Sequence, residues 1–301
     1  MEIIETQFIT WGLFALAIVL AFADVRQQLR LWYWPFIGAI ASALYFEQLT
    51  FIGLACFGVG VVLALLPKHI PNTWGRILVH SLLSLWLIAL AAHLLPGFNN
   101  LLVLDNVRAS ELSTAYSMYL NIDKPLIFFI LLLSVPTLLK SDHVQDKALL
   151  FMPTSGDDQI LKKTQQYIVQ LVILAILFAI IFGLAYALGL IKPDVKVPQW
   201  WLVFAFSNLL LTCVAEEAFF RGFVQQTLVK KYGAIAALST TSVLFGVAHF
   251  AGGGAYVLVA SIAGLLYGLV HYWYRNLYLP ILLHFILNMT HLLFFTYPLA
   301  I

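Results

Sequence analysis

Three pairs of side chains, each with a spacing of four residues, recur in the C-terminal half of the chain. The stretches "EEAFFR", "FGVAH" and "HFILN" contain Glu216, Glu217, Arg221, Phe245, His249, His284 and Asn288. A spacing of four residues brings two side chains onto the same face of an α-helix. A carboxylate and an imidazole can take a proton from water, and imidazole or amide N–H groups can stabilise an oxyanion. The pattern therefore indicates hydrolysis by an activated water molecule.

These residues lie in a chain that is otherwise very apolar. Of its 301 residues, 62% are hydrophobic and 10% are charged, and the mean hydropathy is +0.94. Soluble domains carry about 25% charged residues, so the composition predicts a membrane protein surrounded by lipid. Each charge at mid-helix costs about 2.5–3.5 kcal/mol there, so a group of charges predicts mutual pairing or a function. The net charge of +2 gives no indication of nucleic-acid binding.

Hydrophobic runs divide the chain into about ten predicted spans, and the expected fold is an all-α, polytopic integral membrane protein. The spans are 8–23, 32–46, 49–66, 77–95, 125–139, 167–189, 200–224, 235–250, 256–274 and 277–297. We expect three regions: an N-terminal five-span region at 1–140, a cytoplasmic connection at 141–166 with a turn in "TSGDDQ", and a C-terminal catalytic helix bundle at 167–301. The polar segment 96–124 should lie outside and include a short surface helix.

The loop charges predict the orientation of the spans. With the N-terminus outside, eleven loop lysines and arginines fall on the inner side, as the positive-inside rule requires for an even number of spans. The outer loops hold only Arg108, Lys124, Lys192 and Lys196. Both termini are then expected outside. No cleavable signal peptide is predicted, because acidic rather than basic residues precede the first span. The compactness of the chain and its lack of organelle-targeting features favour a bacterial inner membrane, with the endoplasmic reticulum as the alternative.

Counting residues from two predicted turns places three of the polar residues at one depth. A turn between Tyr232 and Gly233 would set Glu216 and His249 about 16 residues away on opposite arms of a hairpin, side by side. Glu216 would then lie ~13 Å inside the membrane, and His284 ~12 Å inside on the last hairpin. The site is therefore expected nearer the cytoplasmic face.

This placement gives each residue an expected role. Glu216 and an imidazole would activate water, His284 and Asn288 would stabilise the oxyanion, and Arg221 would pair with Glu217. Zn²⁺ is an equally open alternative, with Glu216, His249 and His284 as ligands and one position left for water, although the HExxH signature is absent. His291, seven residues after His284, is the first candidate for a further member of the site. The two cysteines, Cys56 and Cys213, are expected to be buried thiols.

The ordered motifs EExxxR, FxxxH and HxxxN resemble those of the CAAX-protease and bacteriocin-processing family of intramembrane endopeptidases, also called the Abi family. The flanking "RGFVQQTLVKKYG" and "LYLPILLHFILN" are similar to that family too, and the resemblance covers about residues 198–297. It implies that Glu216 and His249 activate water, that His284 and Asn288 stabilise the oxyanion, and that Glu217 and Arg221 support the site. Both a metalloprotease and a metal-free glutamate mechanism have been argued for the family. The implied partner is a peptide or membrane-protein substrate.

Three other functions are compatible with parts of the pattern. Ionisable residues inside a membrane also mark the pathways of transporters and channels. Two histidines, His249 and His284, are compatible with a bis-histidine haem protein, which would leave the glutamates and Arg221 unexplained. A catalytically silent scaffold or immunity protein on the protease fold is the third alternative.

Overall fold

The computed structural model describes residues 2–24, 28–140 and 159–301, and within them the protein is mostly helical. The helices are α1 Glu2–Ala23, α2 Tyr33–Tyr45, α3 Phe51–Leu65, α4 Thr73–Ala91, α5 Asp123–Ser134, α6 Gln159–Ala187, α7 Trp201–Phe206, α8 Val214–Glu217, α9 Gln226–Ala248, α10 Gly254–Tyr274 and α11 Tyr278–Phe294. Two π-helical stretches, π1 Ser207–Cys213 and π2 Ala218–Gln225, lie before and after α8, and 3₁₀ turns occur at Leu66–His69 and Phe250–Gly252. Most of the predicted connection 141–166 falls outside the described residues.

Five of the described helices are long and apolar enough to cross a membrane, which supports an integral membrane protein. They are Phe51–His69, Thr73–Ala91, Lys163–Ala187, Trp201–Ala248 and Gly254–Tyr274, and shorter apolar helices occur at Phe8–Ala23 and Tyr278–Phe294. The 48-residue stretch Trp201–Ala248 contains two predicted spans, 200–224 and 235–250. Gly233 interrupts it with φ 82° and ψ 172°, a backbone conformation that glycine adopts readily. The break lies at the predicted turn, while the total of ten spans stays a prediction.

The segment 96–124 contains a β-hairpin, so the prediction of a short surface helix there is wrong, and "all-α" becomes "mostly helical". Strand β1 Leu101–Arg108 pairs with β2 Ala115–Leu120. In β2, exposed residues alternate with Tyr116, Met118 and Leu120, which face inward. A period of two residues favours a strand over a helix.

The first compact unit comprises residues 1–106, 117–140 and 202–219. Helix α5 lies at its centre, because it packs against α3, α4, α8 and π1, and nine of its twelve residues are buried. Rings from three helices pack together there: the Phe129 ring centroid is 4.4 Å from that of Phe36, and the Phe128 ring stacks on Phe22 at 5.6 Å. A helix buried on all sides needs no polar face.

Helix α5 is shorter than the predicted span 125–139. Twelve residues extend ~18 Å, less than the ~30 Å of a hydrocarbon core. Its end has a local cause: Pro136 has no N–H and disfavours the helical conformation in the residue before it. Val135 accordingly adopts an extended conformation, with φ −110° and ψ 97°. Helix α5 therefore ends inside its unit instead of crossing the bilayer alone.

The second compact unit comprises residues 107–116, 141–201 and 220–301. Helix α10 packs against α6, α9 and α11. Ala260, Gly264 and Gly268 recur every four residues along α10, and such stripes of small residues let membrane helices approach closely. A Cβ atom added at Gly264 would lie 3.0 Å from the Cβ of Phe245 and 3.1 Å from the backbone of Ser242. The two backbones of α9 and α10 are thus close to contact at this level.

Three segments that the predicted topology places on one face of the membrane are bonded to one another within this unit. The C-terminal residues pair with Ser113 and with Pro193, and Ser110 donates a hydrogen bond of 2.5 Å to Asp194 Oδ2. Lys196 lies 3.1 Å from the same carboxylate. Burial raises the pKa of Asp194, but the hydrogen bonds from Ser110 and Lys196 and the charge of Lys196 lower it below its usual value.

Gly246→Ala should destabilise the protein, because the added Cβ would lie 2.5 Å from the carbonyl oxygen of Val257 on α10 and would also clash with Ser261. Overpacking of this kind lowers the free energy of unfolding by about 1–3 kcal/mol. The control is Gly183→Ala on α6, where nothing lies within 4 Å of the added atom. Denaturation of both variants in detergent provides the measurement. Equal stability of the two would contradict the close packing of α9 and α10.

Candidate functional site

The second unit contains a cavity with a volume of about 60 Å³. Helices α6, α9, α10 and α11 line it. Most of its wall is apolar, and its polar members are His249, Tyr256, Tyr267, His284, Asn288 and His291. The sequence predicted that His249, His284 and Asn288 lie together, and they share this cavity. His291, the expected further member, lines it as well.

Phe245 stands between the two central histidines. Its ring centroid is 4.7 Å from that of His249 and 5.6 Å from that of His284. Tyr267 also contacts His284: the two rings stack with centroids 4.5 Å apart and an interplanar angle of 18°. Phe245, the first residue of the FxxxH motif, thus has a structural role, because its ring contacts both imidazoles and fixes the distance between them.

The hydrogen bond of His249 determines which of its nitrogens is available. His249 follows the last residue of α9, and its Nδ1 lies 2.8 Å from the carbonyl oxygen of Phe245. A carbonyl accepts only, so Nδ1 carries the hydrogen. In the neutral ring the lone pair is then on Nε2, as required of a base or a metal ligand. The half-buried ring lies at the cavity wall.

Arg221 is fully buried next to the same aromatic cluster. Its Nη2 donates a 3.0 Å hydrogen bond to the carbonyl oxygen of Gly264, and its guanidinium carbon is 4.7 Å from the Phe245 ring centroid and 5.3 Å from that of Tyr267. One turn later, Gln225 donates to the carbonyl of Gly268 at 2.9 Å. The two parallel bonds attach π2 to the small-residue stripe of α10.

The glutamates belong to the first unit. Glu217 is fully buried, while the side chain of Glu216 keeps 23% of its exposure. The boundary between the two compact units falls between Phe219 and Phe220. The apposition of Glu216 to His249 and the ion pair between Glu217 and Arg221 therefore stay predictions from the sequence.

The backbone around these glutamates is unusual. Glu216 and Glu217 end the single α-helical turn α8, and π1 and π2 continue on either side of it. In a π-helix each N–H bonds to the carbonyl five residues earlier, and such stretches are rare and frequent at functional sites. The sequence predicts regular α-helical spacing here, because no residue pattern distinguishes an α-helix from a π-helix.

Sequence reasoning also missed Lys124. Its Nζ lies 3.9 Å from Glu216 Oε1 and 3.5 Å from Thr212 Oγ1, all within the first unit. The sequence placed Lys124 in an outer loop, because it could not show that the short helix α5 begins beside α8. No local pattern linked residues 92 positions apart.

A metal centre is the alternative that the sequence leaves open. Among residues 2–24, 28–140 and 159–301, no group of three or more His, Cys, Asp or Glu side chains lies in an arrangement that could hold a metal ion.

The cysteines are both free, with Cys213 buried and Cys56 half-buried. The Cys213 thiol donates to Asn208 Oδ1 at 3.3 Å.

Residues 198–290 match a family described as Rce1-like, type II CAAX prenyl endopeptidase. The match confirms the family resemblance inferred from the three motifs, all of which lie inside it. No curated protein and no solved structure matches the chain. Lys124 and the helices α1–α6 lie outside the matched residues.

A double-mutant cycle tests the contact between Arg221 and Phe245. Arg221→Met and Phe245→Leu should be non-additive in the free energy of unfolding by about 1–2 kcal/mol, the expected strength of a desolvated cation–π pair. The matched cycle pairs Arg221→Met with Phe128→Leu, since Phe128 is equally buried but belongs to the first unit. That cycle should be additive within ~0.5 kcal/mol. Equal coupling energies in both cycles would contradict the contact between the Arg221 guanidinium and the Phe245 ring.

Proposed function

We propose that this protein is an integral-membrane endopeptidase that hydrolyses peptide bonds, because residues 198–290 match the Rce1-like type II CAAX prenyl endopeptidases. The observation that carries the proposal is the cavity of the second unit, where His249, His284 and Asn288 converge inside the family-matched segment. Polar groups converging in a mostly apolar cavity are typical of substrate sites.

In the proposed reaction Glu216 acts with His249 on a water molecule. Counted from a turn between Tyr232 and Gly233, the two residues are at equal distances on opposite arms. The lone pair of His249 is on Nε2 in its neutral ring. Glu216 takes a proton from water as the oxygen forms a bond to the scissile carbonyl carbon. The tetrahedral intermediate then collapses, the C–N bond breaks, and the same proton passes to the leaving amine.

His284 and Asn288 are proposed to stabilise the oxyanion. They are one turn apart on α11, and both line the cavity. A ring N–H and an amide N–H directed at one point stabilise negative charge that develops on the carbonyl oxygen. Stacking on Tyr267 and edge contact with Phe245 fix the plane of the His284 ring, so little reorganisation is needed during the reaction.

Glu217 and Arg221 are proposed to support the site. Arg221 anchors π2 to α10 and contacts the face of Phe245, so it acts on both histidines through that ring. Glu217, fully buried four residues earlier, is proposed as its ionic partner. A buried charge of either sign needs such compensation.

The proposed substrates are peptide segments of proteins at the membrane, with CAAX-type C-terminal processing as the family-based expectation. The cavity wall is contributed largely by aliphatic and aromatic side chains of α6, α10 and α11, which suits apolar substrate residues. We propose a bacterial inner membrane, with both termini outside and the reacting groups nearer the cytoplasmic face, from the loop charges and the residue counts.

Glu216→Gln should reduce cleavage of quenched fluorescent peptides, prenylated and unprenylated, by at least about a hundredfold, because no base remains for the water. The variant should stay folded in detergent. Glu111→Gln, at an exposed position of the β-hairpin loop, is the control and should cleave as the wild type does. Unimpaired cleavage by Glu216→Gln, or none by the folded wild type, would contradict the proposal; the second result favours transport or scaffolding.

The same assay with a chelator separates the two mechanisms left open by the sequence. If Zn²⁺ is held by Glu216, His249 and His284, chelation abolishes cleavage and added zinc restores it. Resistance to the chelator identifies a glutamate–histidine mechanism.

Asn288→Asp should lower kcat by about 10²–10³-fold and leave KM within about threefold, because the aspartate keeps the size but cannot donate to the oxyanion. The control is Thr290→Ala on the same helix, whose hydroxyl bonds to the carbonyl of Ile286 at 2.8 Å. Steady-state kinetics on both variants decide the matter. A change confined to KM in Asn288→Asp would assign the residue to substrate binding instead.

A further inference from the structure

A lysine from outside the family-matched segment reaches the proposed base. Lys124 is the second residue of α5, and its ammonium lies 3.9 Å from Glu216 Oε1. Its other polar neighbour is Thr212 on π1, at 3.5 Å. Thr212 and Glu216 are four residues apart, so the lysine contacts one face of the segment that carries the carboxylate.

The contact places two opposite charges where water is scarce. The side chains of Lys124 and Glu216 keep only 20% and 23% of their exposure, and the eight residues Pro125–Leu132 that follow Lys124 in α5 are all buried. An isolated charge at such a position is costly in a membrane protein. The nearby opposite charge offsets that cost. Removing one of two paired charges leaves the remaining charge without this compensation.

The neighbouring carboxylate of α5 is already engaged. Asp123 is buried, and its Oδ2 lies 2.5 Å from Nδ1 of His93. Lys124 therefore contacts a carboxylate of another helix instead of the acid next to it in sequence. This arrangement joins α5 to α8 at the point where the proposed base projects.

We propose that Lys124 is a positioning residue for Glu216: its ammonium fixes the carboxylate that activates water. The inference rests on the proposed function of Glu216 and deepens it, because it adds to the site a residue of α5, outside the family-matched segment. A nearby opposite charge favours one orientation of a carboxylate, and positional errors of about 1 Å at a reacting group reduce rates by as much as about a hundredfold.

The kinetic test compares Lys124→Met, which removes the charge at similar volume, with Lys124→Arg, which keeps it. Lys124→Met should lower kcat by about 10- to 100-fold with KM within about threefold, because the base is misplaced while the substrate cavity is unchanged. Lys124→Arg should recover most of the loss. The control Lys192→Met removes a lysine that bonds the carbonyl of Ile301 in the other unit, and it should behave as the wild type.

A double-mutant cycle in thermal denaturation needs no substrate. Lys124→Met and Glu216→Gln should each lower the melting temperature, and the double variant should melt at least about 2 °C higher than additivity predicts. Additive effects would overturn the ion pair, and unchanged kcat in Lys124→Met, or equal loss in Lys124→Arg, would overturn the positioning role. Coupling without any hydrolysis by the wild type would overturn the proposed function, and the positioning role with it, while confirming the ion pair.

Discussion

The second unit depends on a guanidinium that is fully buried. Arg221 cannot remain charged in that place without compensation, and the structure provides a backbone carbonyl at Gly264 and the faces of aromatic rings. That carbonyl is accessible because glycine has no side chain, so the small-residue stripe of α10 serves both helix packing and the arginine. Phe245, held between Arg221 and the two histidines, transmits this arrangement to the cavity.

The sequence predicts the features that arise from local chemistry. Hydrophobic runs located a helix in every predicted span, and the glycine at 233 marked the break in the longest one. The four-residue spacing of HxxxN puts His284 and Asn288 on one face of α11, and that of FxxxH puts Phe245 and His249 on one face at the end of α9. The family match over 198–290 confirms the resemblance based on those motifs.

Other features depend on contacts that the sequence does not encode locally. The π-helical backbone around Glu216 has no residue signature, and the position of Lys124 beside α8 requires knowledge of how α5 packs. The end of α5 was predictable in principle, since Pro136 and the extended Val135 before it follow a local rule, but the hydrophobic run masked it. The β-hairpin was also missed, because the polar segment 96–124 was expected to include a short surface helix, whereas burial along β2 alternates with the two-residue period of a strand.

The segment that carries Glu216 is packed against helices from outside the family-matched residues. The family-matched residues carry all three motifs, and within the first unit α5 packs against both α8 and π1 while α1 packs against π1. Under the positioning role proposed for Lys124, residues outside the matched segment support the base. In a membrane, where every ionisable group must be compensated, this dependence is a physical requirement as much as a functional one.

The proposed mechanism requires Glu216 and His249 to lie side by side, and a cross-link between positions 216 and 249 measures that proximity most directly. In a variant with Cys56→Ala and Cys213→Ala, the pair Glu216→Cys and His249→Cys should be joined by a short thiol-reactive cross-linker, as detected by mass spectrometry of the digested protein. The control pair Asn208→Cys and His249→Cys, with Asn208 eight residues before Glu216 on the same helical segment, should stay unlinked because it is ~12 Å out of register. Linkage of the control pair alone, or of neither pair in folded protein, would contradict the account.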